Sequence, residues 1–140
     1  MYVTEQNMFD ALVSKLNELV SDGVFKEVIV GFQEDYPNEF PVIYVEILDE
    51  RFEPATVNKD DYIVEVGVVV ETFNEDYQEG QEQIRELAMR VYEKLISDRT
   101  LGGDVDVLNV EAMDTTSEAV PDGFIFDKGL TVTLSRWLIS

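Results

Sequence analysis

Neither cysteine nor histidine occurs anywhere in the 140 residues. Without thiols there is no disulfide frame, no thiolate nucleophile and no Cys-based zinc site. Without imidazole the commonest general base and a leading transition-metal ligand are missing as well. Positive charge is scarce: five lysines and five arginines stand against thirty acids, a formal net charge of −20. Such a surface repels a phosphate backbone, so nucleic-acid binding through a basic patch is disfavoured. An anionic membrane surface is disfavoured for the same reason. No apolar run approaches the length needed to span a bilayer. The start, MYVTEQNMFDALVSKL, lacks a basic n-region followed by an unbroken apolar stretch, so no secretory signal is read there. A soluble protein is expected. GxSxG, Walker, GxGxxG and EF-hand patterns are all lacking.

What is present is enough for one core. The length suits a single domain, 1–140, and 45% of the residues are apolar, unlike a disordered tail. The acidity has three readings: ordinary acidic solubility, adaptation to high salt that screens self-repulsion, or a surface that must not hold DNA.

Apolar residues recur at helical spacing from Thr4 to Ser21, with Met8, Phe9, Leu12, Val13, Leu16, Leu19 and Val20 on one face. Thr4 is the expected N-cap and Asp22-Gly23 the stop. Residues 25–32 and 42–48 read as strands, separated by a polar loop at 33–41. A second long polar loop is expected at 49–61. Residues 62–73 form the clearest strand, with Tyr62, Val64, Val66, Val68 and Val70 on one face and Glu65 and Glu71 on the other. A second helix follows, opened by Asp76 with Glu79 in a capping box and striped by Ile84, Leu87, Ala88, Val91, Tyr92, Leu95 and Ile96. Its acids Glu82 and Glu86 come early and its bases Arg90 and Lys94 late, as the helix dipole favours. Extended pieces are expected at 105–113, 123–129 and 130–139, with a polar loop at 114–122. The sum is α+β: two helices on a mainly antiparallel sheet, in the order α-β-β-β-α-β-β-β.

The stretch SDRTLGGDVD, residues 97–106, holds the features most suggestive of chemistry. A phosphate loop joins a strand to a helix N-terminus, where free N–H groups meet the anion. Here the glycines follow a helix and precede acids, so the polarity is wrong. Gly102 and Gly103 instead supply the positive φ that ends a helix, and Leu101 is expected to fold back onto the core. Asp104 and Asp106, two apart on a strand, are weak candidates for a hard cation, as are Asp60-Asp61 and Asp49-Glu50. With acids this frequent, a solvated face is the stronger reading. No catalytic residue and no cofactor site is assigned. Trp137 is read as sheet-face or core packing.

The turn Asp98, Thr100, Leu101, Gly102, Gly103 and Val105, set between a helix and a strand, resembles the tail-terminator and tail-completion (neck) proteins of tailed bacteriophages and archaeal tailed viruses. Those proteins share a fold with tail-tube subunits. The resemblance implies a non-enzymatic virion protein, located at the tail or neck and made in the host cytoplasm. It implies a homo-oligomeric, hexameric ring that ends the tail tube and joins it to the head connector. The partners it implies are further copies of the chain, the tail-tube protein and neck proteins, with viral DNA passing through without specific binding. Six copies would carry about −120 charges, and a negative lumen lets DNA slide. Other neck proteins, such as an adaptor or stopper, and a tail-tube subunit are alternatives in the same class. A small acidic cation-binding module or enzyme is the alternative from another class.

Overall fold

The computed structural model describes residues 5–31, 37, 39–56 and 59–139. Helix α1 (Glu5–Ser21) is followed by strands β1 (Glu27–Val30), β2 (Val42–Thr56) and β3 (Lys59–Asn74). Helix α2 (Tyr77–Ile96), a single 3₁₀ turn (Leu101–Gly103) and strands β4 (Val107–Val120) and β5 (Gly123–Ile139) complete the chain. The order is therefore α-β-β-β-α-β-β. The five strands form one sheet ordered β1-β2-β3-β5-β4, in which only the β1–β2 pair is parallel.

Alternation on the strands decides where the core sits. Val64, Val66, Val68 and Val70 of β3 pair across with Ile43 and Val45 of β2 and with Leu130, Val132 and Leu134 of β5. Both helices lie on that face. Met8, Phe9, Leu12, Leu16 and Leu19 of α1 and Ile84, Leu87, Val91 and Leu95 of α2 are buried in one cluster with it. Burying a side chain of this size contributes about 1.5–3 kcal/mol, so these stripes dominate the fold's stability.

The helix ends follow their local chemistry. The α1 stop is a Schellman turn: Gly23 has φ +80°, Val24 N–H donates to Leu19 O and Gly23 N–H to Val20 O. Thr4 lies outside the described residues. Asp76 caps α2, its Oδ1 accepting from Glu79 N–H at 2.9 Å. Asp76→Ala is expected to cost about 1 kcal/mol, read as a lower denaturant midpoint with unchanged slope.

Three expected boundaries are corrected. Residues 49–61 are not an irregular loop but the outer half of a long β2–β3 hairpin, whose ladder continues to the Thr56–Lys59 pair. A bulge at Leu48 shifts the register, so Asp49, Arg51 and Glu53 face away from the helices and Phe52 stacks on Tyr62 at 4.8 Å. Residues 114–122 are likewise mostly strand, the outer half of a β4–β5 hairpin beyond an irregularity between Ala112 and Thr115. The pieces expected at 123–129 and 130–139 are one strand, paired with β3 without a register shift. Of the loop expected at 33–41, residues 33–36 and 38 lie outside the described residues, as do residue 32 of the first expected strand and residues 57–58 at the hairpin tip.

Candidate assembly surfaces

The turn after α2 is built by its own polar side chains. Asp98 Oδ1 accepts from Gly102 N–H at 3.3 Å and from Thr100 Oγ1 at 3.4 Å, and its other oxygen lies 3.5 Å from Lys15 Nζ on α1. The Gly102 N–H bond, helped by Lys15, holds the Asp98 carboxyl below the usual carboxylate range. Thr100 O accepts from Gly103 and Val105 N–H. Leu101 has φ +49°, a conformation that costs a leucine about 1–2 kcal/mol. Its side chain is buried, which offsets that cost. Arg136 donates to Gly103 O at 3.0 Å and Arg99 to Leu108 O at 3.1 Å, tying the turn to β5 and β4. The glycines do not cap α2 directly. The helix ends at Ile96, its Ser97 cap is right-handed, and the positive φ comes five residues later. Gly102 has φ +75° with open space where a Cβ would go. A Gly102→Ala variant is therefore expected to lose about 1 kcal/mol from backbone strain alone, and Gly102→Asn less. Urea midpoints of the two variants check this.

Asp104 and Asp106 are not on a strand, because β4 begins at Val107. Asp104 is exposed at the end of the 3₁₀ turn. Asp106 Oδ2 accepts from Trp137 N–H at 2.8 Å, so this carboxylate is engaged with the end of β5. Asp49 is bonded to Arg51, and Tyr62 O–H donates to Glu50 Oε1 at 3.0 Å. Among the described residues no three acidic side chains converge as a metal site would need. No helix among them is long and apolar enough to cross a membrane.

The sheet face away from the helices has two regions. One is closed at Val42, Tyr44, Glu71 and Ile125, with Phe40 against Phe73 at 6.3 Å. Here Glu71 sits directly opposite Asp127. Tyr44 O–H donates to Glu71 Oε1 at 3.3 Å, while Asp127 Oδ1 is buried with no hydrogen-bond partner. Burial first, and the neighbouring Asp127 second, push the Glu71 carboxyl up to about 8. Two facing carboxylates and an orphaned oxygen fit one arrangement: Glu71 keeps its proton at neutral pH and donates it to Asp127. Burial, and then Glu71, push the Tyr44 hydroxyl to about 12, so it stays a donor. Sequence reading placed Glu71 on this face but missed its partner. The signal was an acid inside an apolar strand.

The other region is open, with Leu48, Val107, Met113 and Trp137 exposed. Beyond it the two hairpins leave the body in opposite directions. One turns beside Lys59 and the other beside Asn74, at the two ends of β3. A strand of that length separates them by about 50 Å. On the first arm Arg51 bridges Asp49, Glu53 and Glu65 at 3.0, 2.9 and 3.2 Å, holding an acid row that would otherwise repel itself. Phe52, Glu53, Pro54 and Asp60 are exposed along it.

No family model and no curated protein matches the sequence. Among solved structures the fold is similar to a chain of a "Virion of native gene transfer agent (GTA) particle". The TM-score is 0.55 at 11% identity, over 96% of this chain and 98% of that one. At that identity the likeness is one of fold, and it runs through nearly the whole of both chains.

Proposed function

We propose that this chain is a structural virion protein. It forms a ring, of six copies, at the head-proximal end of a viral tail, where it ends the tube and joins it to the neck. The observation that carries the reading is the end-to-end fold likeness to a virion chain, with neither partner leaving an unmatched domain. The anatomy supports it. A ring subunit needs surface that reaches its neighbours, and the arms extend from both ends of β3. A subunit within a ring needs lateral surface, and the 14-residue edge strand β4 is mostly exposed. A net charge of −20 suits the wall of a channel that passes DNA without holding it.

Native mass spectrometry at raised ionic strength and high chain concentration tests the ring. The expected result is a closed oligomer, six copies of the 16.0 kDa chain, with no ladder of open intermediates. An unlimited ladder of sizes would point instead to a stacking tube subunit.

A further inference from the structure

Helix α2 packs chiefly on β3 and β5 and touches β4 less, and a groove of about 410 Å³ lies between the helix, β4 and β5. Its walls are apolar: Met89 and Tyr92 from the helix, Ala112 from β4 and Leu130 from β5. Met89 is 53% exposed and Tyr92 36%. Its charged lining is Arg85 and Lys128, with no acid among the lining residues. In a chain whose acids outnumber its bases three to one, an apolar slot bordered only by cations selects an acidic partner with an apolar tip. Lys128 occupies a position on β5 between Phe126 and Leu130, and its Nζ donates to Met113 O at 2.9 Å and to Thr115 Oγ1 at 3.4 Å. Its charge is thereby fixed beside the groove.

The same chain carries the complementary shape. On the β2–β3 arm Phe52 is 62% exposed, with Glu50, Pro54 and Asp60 exposed on the same face. Both charged residues among those four, Glu50 and Asp60, are acids. A chain cannot fill its own groove. Phe52 lies opposite Tyr62, which pairs with Arg136, eight residues along β5 from Lys128. That is about 26 Å of strand. The contact must therefore run between copies, from the arm of one to the groove of the next, and such a head-to-tail contact propagates until a ring closes.

We propose that the Phe52 arm of one copy docks into the Arg85/Lys128 groove of a neighbouring copy, and that this contact builds the ring. The proposal rests on the ring reading and gives it a lateral contact. Phe52 is the anchor, and Glu50 and Asp60, on the same face of the arm, meet the two cations across the rim. Contacts at such short range survive salt that screens the long-range repulsion between acidic bodies.

The absence of native cysteine makes the test direct. A Pro54→Cys/Ala112→Cys chain, both positions being exposed and the Phe52 anchor kept, is oxidised at high concentration and about 0.3 M salt, enough to screen the net charge. The expected product is a ladder of disulfide-linked multimers on a non-reducing gel. A mixture of the two single variants should stop at heterodimers. Adding Arg85→Glu and Lys128→Glu should lower the yield roughly tenfold, because attraction at the rim becomes repulsion. Oligomers seen by native mass spectrometry without any ladder would overturn the arm-in-groove contact and leave the ring standing. Monomers throughout would overturn both. A double variant that stops at a cross-linked dimer would keep the contact and refute the ring.

Discussion

Gly80→Ala is expected to destabilise the protein by about 2–3 kcal/mol, a fall of roughly 10 °C in Tm, although alanine favours helices over glycine by about 1 kcal/mol. Gly80 sits in the first turns of α2, its N–H bonded to Asp76 O at 3.0 Å. A Cβ there would fall 2.1 Å from Phe126 Cε2 and under 3 Å from two more atoms of the same ring. The ring cannot step aside. Phe126 is fully buried, with Tyr77 at 5.4 Å and Phe124 at 6.3 Å between ring centres. Either the helix lifts off β5 or the ring leaves its place, and each loses packing that holds the N-terminal half of α2. The partner is identifiable, so the cause can be separated from the effect. In a Gly80→Ala/Phe126→Leu chain the smaller side chain makes room, and the two costs should fall short of their sum by at least about 1 kcal/mol. Strict additivity in thermal and urea unfolding would place the damage elsewhere.

The second large effect is a stability that declines as pH rises through neutrality. Glu71 has an ordinary carboxyl value of 4.5 when unfolded and about 8 in the folded sheet. A carboxyl raised by folding contributes stability that is fully present below 4.5 and lost as pH climbs to 8. Between those values the native state holds one more proton than the unfolded chain, so stability falls by up to about 1.4 kcal/mol per pH unit. With the folded value near 8, the total between pH 6 and pH 9 is expected on the order of 2 kcal/mol. A carboxyl at its ordinary value titrates well below pH 6, so this window singles out Glu71. Glu71→Gln should flatten the profile. Its amide can donate to the Asp127 oxygen that otherwise has no partner, with no proton to lose. At pH 9 the variant should be the more stable chain by about the same amount. Parallel urea-derived stability profiles for the two chains across pH 6–9 would rule out the shared proton.

The sequence made some elements legible because a single physical signal governed them. The stripes of α1 and α2, the valine row of β3 and the Asp76 cap each depend on residues close in the chain. The hairpin arms were not legible, because a bulge breaks the very alternation that announces a strand. Past Leu48 the acids Asp49 and Glu53 change face, and past Ala112 the irregularity at Met113-Asp114 does the same. Both stretches are also polar on both faces, so composition reads them as loops. Gly129 interrupted β5 in the same way, although it lies under the Met113 side chain in an unbroken ladder. The turn after α2 was visible as Gly-Gly, whereas its dependence on Asp98 needed the fold to bring Lys15 alongside.

The pairings between distant elements were the least legible part, for a different reason. The Glu71–Asp127 pair joins residues 56 apart, and the groove joins α2 to β4 and β5, so both exist only once the sheet register is fixed. Phe52 reads as one aromatic in a polar stretch until the bulge is seen to set it on the arm beside Tyr62. Local periodicity carries no information on which strands meet.

The central claim is that the chain is a single-ring component at the head-proximal end of a tail. If that reading holds, deleting its gene from the viral genome and imaging the particles by electron microscopy tests it most directly. The predicted result is filled heads separated from tails whose tubes vary in length or run past their normal end, restored by the chain supplied from a plasmid. Normal-length tails joined to heads in its absence would contradict the account.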